Sequence, residues 1–251
     1  MKEVKNITKS YGNKKVVDNV SLNIEEGKIT SFIGPNGAGK STLLSIISRL
    51  VKRDSGEVLI DGKEVLEWDN KELAKKVSIL RQTNNINIRL RIRELVEFGR
   101  FPHCGGNLKK EDIENVDQAL KYMQLEDIQY KYLDELSGGQ RQRAYIAMII
   151  AQDTDYILLD EPLNNLDMKH SAEMMRMLRK MVNDLGKTIV IVIHDINFAS
   201  CYSDNIVSLK NGKLVKHSET KEMITEENLS KLYDMEFNIR EVNDQRICIY
   251  F

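Results

Sequence analysis

The sequence is poor in cysteine and proline and has no excess of charge of either sign. Its 251 residues include only 3 Cys and 3 Pro. Cys104, Cys201 and Cys248 are widely spaced and form no C-x-x-C pair, a pattern typical of reduced thiols rather than of disulfides or a zinc site. The 37 Lys and Arg balance 38 Asp and Glu, so the chain lacks a basic field and we expect no nucleic-acid partner.

Long apolar runs and an export signal are also lacking. The stretches "TIVIVI" at 188–193 and "AMIIA" at 147–151 fall well short of the roughly 18 residues that a membrane span needs. The start "MKEVKNITKSYG" has no apolar region behind a basic one, so we expect no secretory signal. The 4 His show no ligand spacing, and no tightly bound transition metal is indicated. Any role at a membrane would depend on a partner protein.

Several short segments predict an α/β core. "KITSFIG" at 28–34, "YILLD" at 156–160 and "TIVIVIH" at 188–194 are almost continuously apolar, as strands covered by helices on both faces tend to be. "VVDNVSLNI" at 16–24 and "GEVLIDGKEV" at 56–65 instead alternate and contain turn residues. These two segments favour an antiparallel sheet that flanks the core.

Helical spacing dominates four other stretches. "STLLSIISRL" places apolar residues at positions 43, 44, 46, 47 and 50, and "RELVEFGRF" at 93–101 begins a helical region. "KKEDIENVDQALKYMQL" then predicts a helix whose apolar face comprises Ile113, Val116, Ala119, Leu120 and Met123. The Met-rich "MMRMLRKM" at 174–181 is interpreted as the core face of a further helix rather than a binding site. "RLRIRE" at 89–94 favours a solvated face, with partner contact as the alternative.

The run "GPNGAGKST" at 34–42 predicts a phosphate-binding loop. It satisfies G-x-x-x-x-G-K-[ST] between a buried strand and a helix, which is the context that this motif requires. Gly34 and Gly39 let backbone N–H groups approach phosphate oxygens, and the helix N-terminus adds its positive end. Lys40 would reach the β- and γ-phosphates, and Ser41 would ligate Mg²⁺.

Two carboxylates end the strand "YILLD" and predict the hydrolytic chemistry. Asp160 suits the metal side, and Glu161 just beyond it is placed to hold an attacking water as general base. His194 closes "TIVIVIH", a strand expected beside the phosphate loop, from where it would touch the γ-phosphate. Taken alone, Gln82 is best interpreted as an amide on the surface, and Tyr11 as a ring packed against its neighbours.

A second loop with the character of an anion site occurs in "DELSGGQRQRAY" at 134–145. A protein that binds one nucleotide should need only one such loop. Taken in order, "GPNGAGKST", "LSGGQ", "YILLDEP", "NNLD" and "VIHD" resemble the motifs of the nucleotide-binding subunits of ABC transporters. The resemblance spans nearly the whole chain, and five motifs in order are highly specific. It implies that Ser137, Gly138 and Gly139 form a signature loop, which caps the ATP held by a second, head-to-tail subunit.

The resemblance also implies a fold and its boundaries. We expect one nucleotide-binding domain over 1–251, of the α/β P-loop NTPase class of ABC type, with an antiparallel β subdomain and a helical subdomain. The ATP-binding core with its β subdomain would cover 1–83 and 153–218, and the helical subdomain with the signature loop would cover 84–152. We expect a short tail at 219–251, with a helix around 219–233 and a small strand or two, and no regulatory domain.

Roles for individual residues follow from the same resemblance. Tyr11 would stack on adenine, Gln82 would sense the γ-phosphate and the transport partner, and Asp167 would sit in the loop facing the other subunit. Lys40, Glu161 and His194 are the predicted catalytic residues, and Ser41, Gln82 and Asp160 are the predicted Mg²⁺ ligands. The predicted nucleotide-binding residues are Tyr11, Gly34, Pro35, Asn36, Gly37, Ala38, Gly39, Lys40, Ser41, Thr42, Gln82, Ser137, Gly138, Gly139, Gln140 and Asp167.

Within the family, "ELVEFGRFPH", "EPLNNLD" and "HDINFASCYSDNIVSLKNGKLV" look like ATPases of iron-siderophore, haem and cobalamin importers. The sequence from "SFIGPNGAGKSTLLSIISRL" to "IVIHDINFAS" resembles that of petrobactin-type importer ATPases. Arg91 departs from the pattern, because many relatives have there a Thr that caps the following helix.

The expected function is ATP hydrolysis with Mg²⁺ at the cytoplasmic face of the membrane, driving ferric-siderophore import. The expected partners are a second copy of the chain, a membrane permease and, indirectly, a substrate-binding lipoprotein. Haem or cobalamin import remains an alternative, as does a non-transport ABC module that acts on a soluble partner.

Overall fold

The structure, a computed structural model, describes residues 2–82, 88–164 and 166–250. The chain divides into two units, the first formed by Met1–Trp68 with Met175–Phe251 and the second by Asp69–Met174. The predicted start of a helical subdomain at residue 84 lies outside the described residues.

In chain order, the strands are β1 Lys2–Tyr11, β2 Lys14–Ile24, β3 Ile29–Ile33, β4 Ser55–Ile60, β5 Lys63–Glu64, β6 Val77–Leu80, β7 Tyr156–Asp160, β8 Thr188–Val192, β9 Asn205–Lys210, β10 Lys213–Glu219, β11 Asn238–Val242 and β12 Gln245–Ile249. The helices are α1 Lys40–Ile47, α2 Asn70–Lys76, α3 Ile92–Phe98, α4 Phe101–Cys104, α5 Lys110–Tyr122, α6 Gly138–Gln152, α7 Met168–Leu185, α8 Ile196–Tyr202, α9 Thr220–Met223 and α10 Glu226–Tyr233.

The first unit contains a parallel and an antiparallel arrangement of strands. β3 pairs in parallel with β8 and β9, and β10 pairs antiparallel with β9. Every residue of β3 and β8 is buried, which confirms the strands predicted from continuous apolar character. Separately, β1 pairs antiparallel with β2 and β4, and β5 extends this sheet beyond β4. The predicted antiparallel sheet is therefore confirmed.

The second unit combines a parallel strand pair with helices. β6 pairs with β7, whose five residues are all buried as predicted. Gly99 separates α3 from α4, and a Cβ at this position would lie 2.1 Å from the carbonyl oxygen of Met148 in α6. Only glycine permits so close an approach of the two backbones. Arg100, the next residue, is buried. Its guanidinium donates to Asp112 of α5 over 3.0 Å and to the Ala151 carbonyl over 2.7 Å.

Two predicted helical residues are placed differently in the structure. α1 ends at Ile47, and Leu50, predicted on its apolar face, is 52% exposed in the turn that follows. On α5, Val116, Ala119, Leu120 and the following Met123 are buried as predicted, but Ile113 is 41% exposed.

The first turn of α3 is capped although position 91 is an arginine instead of a threonine. The carboxylate of Glu94 accepts the backbone N–H of Arg91 over 2.7 Å, which is one half of a capping box. Around it, Arg89 and Arg91 stack on the ring of Tyr132, at 4.0 and 5.5 Å from its centroid. Arg93 pairs with Glu97 and Asp117. The charges of this stretch therefore serve local contacts, which fits the solvated face predicted for it.

Two further predicted segments are confirmed. The Met-rich stretch lies in α7, where Met174, Met175 and Met181 are buried. The tail forms α9, α10 and the hairpin of β11 and β12. Within the described ranges, none of the helices is both long and apolar enough to cross a membrane.

Candidate nucleotide site

The phosphate loop follows β3 directly, and glycine is required at both of its ends. Gly34 has φ 139°, and a Cβ there would lie 2.0 Å from the carbonyl oxygen of Leu209. Gly39, with φ 99°, caps α1, and a Cβ there would lie 2.3 Å from the carbonyl oxygen of Val16. The loop therefore passes between neighbouring backbones in a conformation that L side chains disfavour.

Lys40 is the first residue of α1 and is buried against the loop that it follows. Its ammonium Nζ donates to the carbonyl oxygens of Gly34, at 2.7 Å, and Pro35, at 3.0 Å. The first hydrogen bond within the helix runs from the N–H of Leu43 to the carbonyl of Gly39. The N–H groups of Lys40, Ser41 and Thr42 precede it and have no acceptor within the helix. Such an N-terminus, with a buried cation beside it, suits the phosphates of a nucleotide.

A hairpin turn supports the loop from its other side. The carbonyl of Ala38 accepts the N–H of Gly212, which links β9 to β10, over 3.1 Å. The carbonyl of Gly212 in turn accepts the N–H of Asp18 of β2 over 2.8 Å. The loop is thus braced by backbone groups far from it in sequence.

Two other predicted residues belong to the same unit as the loop. Tyr11 ends β1 with 54% of its surface exposed, and the ammonium of Lys9 lies 5.4 Å from the centroid of its ring. An exposed ring of this kind is available for stacking on a base. His194 is exposed two residues beyond β8, and the N–H of Ile193 donates to the carbonyl of Phe32 over 3.3 Å. Because β3 and β8 are parallel, His194 and the phosphate loop lie at the same end of this strand pair.

In the second unit, strand register brings Gln82 to Glu161. Leu80 of β6 pairs with Leu159 of β7, and each of the two polar residues follows two positions later. The side-chain Nε2 of Gln82 donates to Oε2 of Glu161 over 2.7 Å, and Nδ2 of Asn164 donates to the same oxygen over 2.5 Å. Glu161 has φ 51°, an uncommon backbone conformation for a residue other than glycine. Strained residues of this kind are concentrated at functional sites.

Asp160 is the last residue of β7, and its side chain is buried. Asn164, in contrast, was not among the predicted site residues. Its position just after the two carboxylates, in "EPLNNLD", was the signal available in the sequence.

The signature segment begins α6 with a complete capping box. The hydroxyl of Ser137 accepts the N–H of Gln140 over 3.3 Å, and the side-chain oxygen of Gln140 accepts the N–H of Ser137 over 3.1 Å. The helix begins at Gly138, so Gly138 and Gly139 both belong to its first turn. A Cβ at Gly139 would lie 2.9 Å from the His170 ring, which explains why a glycine stands there. α6 therefore presents a fixed, glycine-bearing N-terminus.

Asp167 lies just before α7 and holds the same histidine. Its carboxylate accepts the backbone N–H of His170 over 2.8 Å and contacts the ring Nδ1 over 2.8 Å. The backbone hydrogen bond, followed by the ring contact, lowers the pKa of Asp167 below its ordinary value. The carboxylate therefore stays charged at neutral pH while it fixes the loop between β7 and α7.

Comparisons with known proteins identify the family to which these features belong. The model of the ABC transporter family matches residues 17–164. The chain belongs to the ABC transporter family. As a member, it is the ATP-hydrolysing subunit, and the predicted ABC-type P-loop fold is confirmed.

Whole-length relatives support the same assignment for this ABC protein. The petrobactin import ATP-binding protein YclP of Bacillus subtilis is 64% identical over 251 residues and 100% of each chain. The petrobactin import ATP-binding protein FatE of Bacillus anthracis is 44% identical, again over 100% of each chain. A solved dimer of the ATP-binding cassette MJ0796, in a post-hydrolysis state with ADP and Pi, is 37% identical. The match covers 88% of this chain and 99% of that one, with a TM-score of 0.77.

Proposed function

We propose that the chain hydrolyses ATP at the groups described above, in order to drive import of a ferric siderophore. The observation that carries the hydrolytic part is Glu161, whose Oε2 is held by Gln82 at 2.7 Å and by Asn164 at 2.5 Å. A carboxylate fixed by two amides is oriented to accept a proton from an attacking water. Glu161 is therefore the proposed general base.

The remaining predicted residues divide the work on the nucleotide. Lys40 exchanges the loop carbonyls for β- and γ-phosphate oxygens, and the N–H groups at the start of α1 hold the phosphates. Tyr11 stacks on the adenine, and His194 contacts the γ-phosphate. Ser41, Gln82 and Asp160 are the proposed Mg²⁺ ligands, because each side chain offers an oxygen atom, the ligand type that Mg²⁺ prefers. Bound there, Mg²⁺ would neutralise charge on the phosphates.

The second anion loop acts in a dimer. We infer that the N-terminus of α6, with Ser137, Gly138 and Gly139, caps the ATP held by the phosphate loop of another copy. In the capping box, the Ser137 and Gln140 side chains bond to the backbone of the helix start. The N–H groups of Gly138 and Gly139 are therefore the donors proposed to meet a phosphate. Each ATP then joins two subunits, and hydrolysis weakens the pair.

A membrane permease is the second proposed partner, and a cleft of about 360 Å³ in the second unit is the proposed contact surface. Phe98 and Phe101 line it with 54% and 58% of their surfaces exposed, together with Leu90 and Leu108. Exposed apolar surface of this kind marks interaction sites. The chain itself would be peripheral, at the cytoplasmic face of the membrane, and would meet the substrate-binding lipoprotein only indirectly.

This contact is testable with surface variants. Phe98→Ser combined with Phe101→Ser should abolish co-purification with the permease while ATP binding persists. Tyr130→Ser, which changes an aromatic residue with 64% exposure outside the cleft, is the matched control. Retention of the permease by the double variant would contradict this surface.

The substrate class follows from the relatives, since the imported compound does not contact this subunit. Petrobactin is the first candidate, because the relative with 64% identity carries that name. A strain that lacks the chain should fail to grow on ferric petrobactin as sole iron source, and the wild-type gene but not Glu161→Gln should restore growth. Normal growth on every ferric siderophore, with a defect on haem or cobalamin, would assign the subunit to those importers instead.

A further inference from the structure

The C-terminal tail reaches the phosphate loop through one hydrogen bond. The backbone N–H of Gly34 donates to the hydroxyl of Tyr233, the last residue of α10, over 3.1 Å. This tyrosine follows Gly34 by 199 residues and lies beyond the region matched by the family model, which ends at residue 164. We propose that Tyr233 is a positioning residue, which holds the first peptide of the phosphate loop in its ATP-binding conformation and thereby sets the affinity for ATP.

Gly34 is constrained on three sides, and Tyr233 supplies one of them. The carbonyl of Gly34 accepts from Lys40 over 2.7 Å, and its Cα hydrogen faces the carbonyl of Leu209, where a Cβ would lie at 2.0 Å. Gly34 is buried, and its N–H donates a hydrogen bond to the hydroxyl of Tyr233. The tail therefore holds the peptide group that precedes the Cα of Gly34, and Lys40 holds the one that follows it.

Tyr233 is itself held in place by the tail and by β9. Its ring lies 5.8 Å from that of Phe237, which lies 5.6 Å from that of Tyr250. The ammonium of Lys210, next to Leu209 in β9, donates to the Lys231 carbonyl and to Asp234, both over 2.7 Å. The last turn of α10 is therefore fixed to the same strand that lies against Gly34.

The hydroxyl remains neutral under physiological conditions. Burial, the largest cause, raises the pKa of Tyr233 to about 12. The contact with Gly34 is thus a neutral hydrogen bond that pH does not switch. Its effect must come from geometry.

The consequence for ATP follows from preorganisation. A ligand binds with an apparent Kd equal to its intrinsic Kd divided by the fraction of protein in the competent conformation. One neutral hydrogen bond shifts a conformational equilibrium by about 2- to 10-fold. Once ATP is bound, its own contacts hold the loop, so the chemical step should be unaffected.

The test compares Tyr233→Phe with wild type, and it rests on the proposed ATP site. Tyr233→Phe should raise KM for ATP, and the Kd for a non-hydrolysable ATP analogue measured by calorimetry, by about 2- to 10-fold with kcat unchanged. Tyr250→Phe removes a hydroxyl from the same aromatic cluster and should leave both constants at the wild-type value. A Tyr233→Phe variant with a lower Tm but an unchanged KM and Kd would overturn the inference, because its role would be structural only.

Two further measurements separate the contact from its surroundings. Lys210→Met should also raise KM, but should add nothing in the Tyr233→Phe background if both act through one contact. Hydrogen exchange of the Gly34 amide, followed by NMR, should accelerate in Tyr233→Phe; unchanged exchange overturns the proposal. Wild-type protein that fails to bind the analogue would overturn the proposed function together with this inference. Normal wild-type binding with an unchanged variant would overturn the inference alone.

Discussion

Glu161→Gln is the substitution that isolates the proposed base most cleanly. It keeps the size of the side chain and removes the charge that accepts a proton. In the structure, Gln82 and Asn164 both donate to Oε2 of Glu161, and a glutamine can present its carbonyl oxygen to the same two donors. The variant should therefore retain the local fold, so that a loss of activity reports on chemistry.

The magnitudes of the two effects are well separated. Replacing a charged acceptor by a neutral one weakens the two hydrogen bonds, and each such bond changes stability by about 1 kcal/mol. Loss of general-base assistance should lower the hydrolysis rate by about 10²- to 10⁴-fold. That factor corresponds to about 2.7–5.5 kcal/mol in the activation barrier. The kinetic loss should thus exceed anything that altered stability explains.

The assay is phosphate release at saturating Mg-ATP, with ATP-dependent dimerisation followed by size-exclusion chromatography. Glu161→Gln should be nearly inactive yet form a lasting dimer with ATP, since hydrolysis no longer separates the subunits. Asn164→Ala is the matched control, because it removes one donor but leaves the carboxylate, and it should lose less activity. A Glu161→Gln variant that turns over near the wild-type rate would refute the assignment, and His194 would be the next candidate for the base.

Two further predictions concern stability. Gly34→Ala should lower the free energy of unfolding by about 1–3 kcal/mol for backbone strain, and its Tm should fall more than that of Gly37→Ala, which has positive φ but no atom within 4 Å of the added Cβ. Equal Tm losses would contradict the contact with Leu209. Asp112→Asn should be less stable than wild type at pH 7 by about 1–3 kcal/mol. The Lys109 N–H and then Arg100 lower the pKa of Asp112, so this difference should be full above about pH 4 and decrease as pH falls through the depressed folded value; a Tm difference that does not decrease as the pH is lowered below about 4 would refute it.

The parts of the fold that the sequence predicted have local signals. The buried strands β3, β7 and β8 are continuous apolar runs, and the phosphate loop is a contiguous motif between a strand and a helix. The spacing of apolar residues did not predict correctly which residues are buried near the ends of helices. The chain leaves α1 after Ile47, where Arg49 adopts φ 64°, so Leu50 turns outward although its spacing fits the helix.

The contacts within the candidate site that sequence reasoning missed depend on long-range geometry. Gln82 and Glu161 are 79 residues apart, and only the parallel register of β6 and β7 makes them neighbours. The contact of Tyr233 with Gly34 spans 199 residues and involves a backbone N–H, which no side-chain pattern reveals. The motifs predicted which residues form the site, whereas their hydrogen-bond partners depend on the three-dimensional fold.

The central claim is that the phosphate loop of one subunit and the signature loop of another complete one ATP site. The most direct test mixes a Lys40→Ala subunit with a Ser137→Arg subunit that carries a different tag. Alone, each variant spoils both sites of its homodimer, whereas a mixed pair places both defects in one site and leaves the other intact. We predict that the mixture regains ATP-dependent pairing between differently tagged subunits. If mixed pairs are demonstrably present and ATP pairing remains only the sum of the separate variants, the two loops do not share a nucleotide and the claim is contradicted.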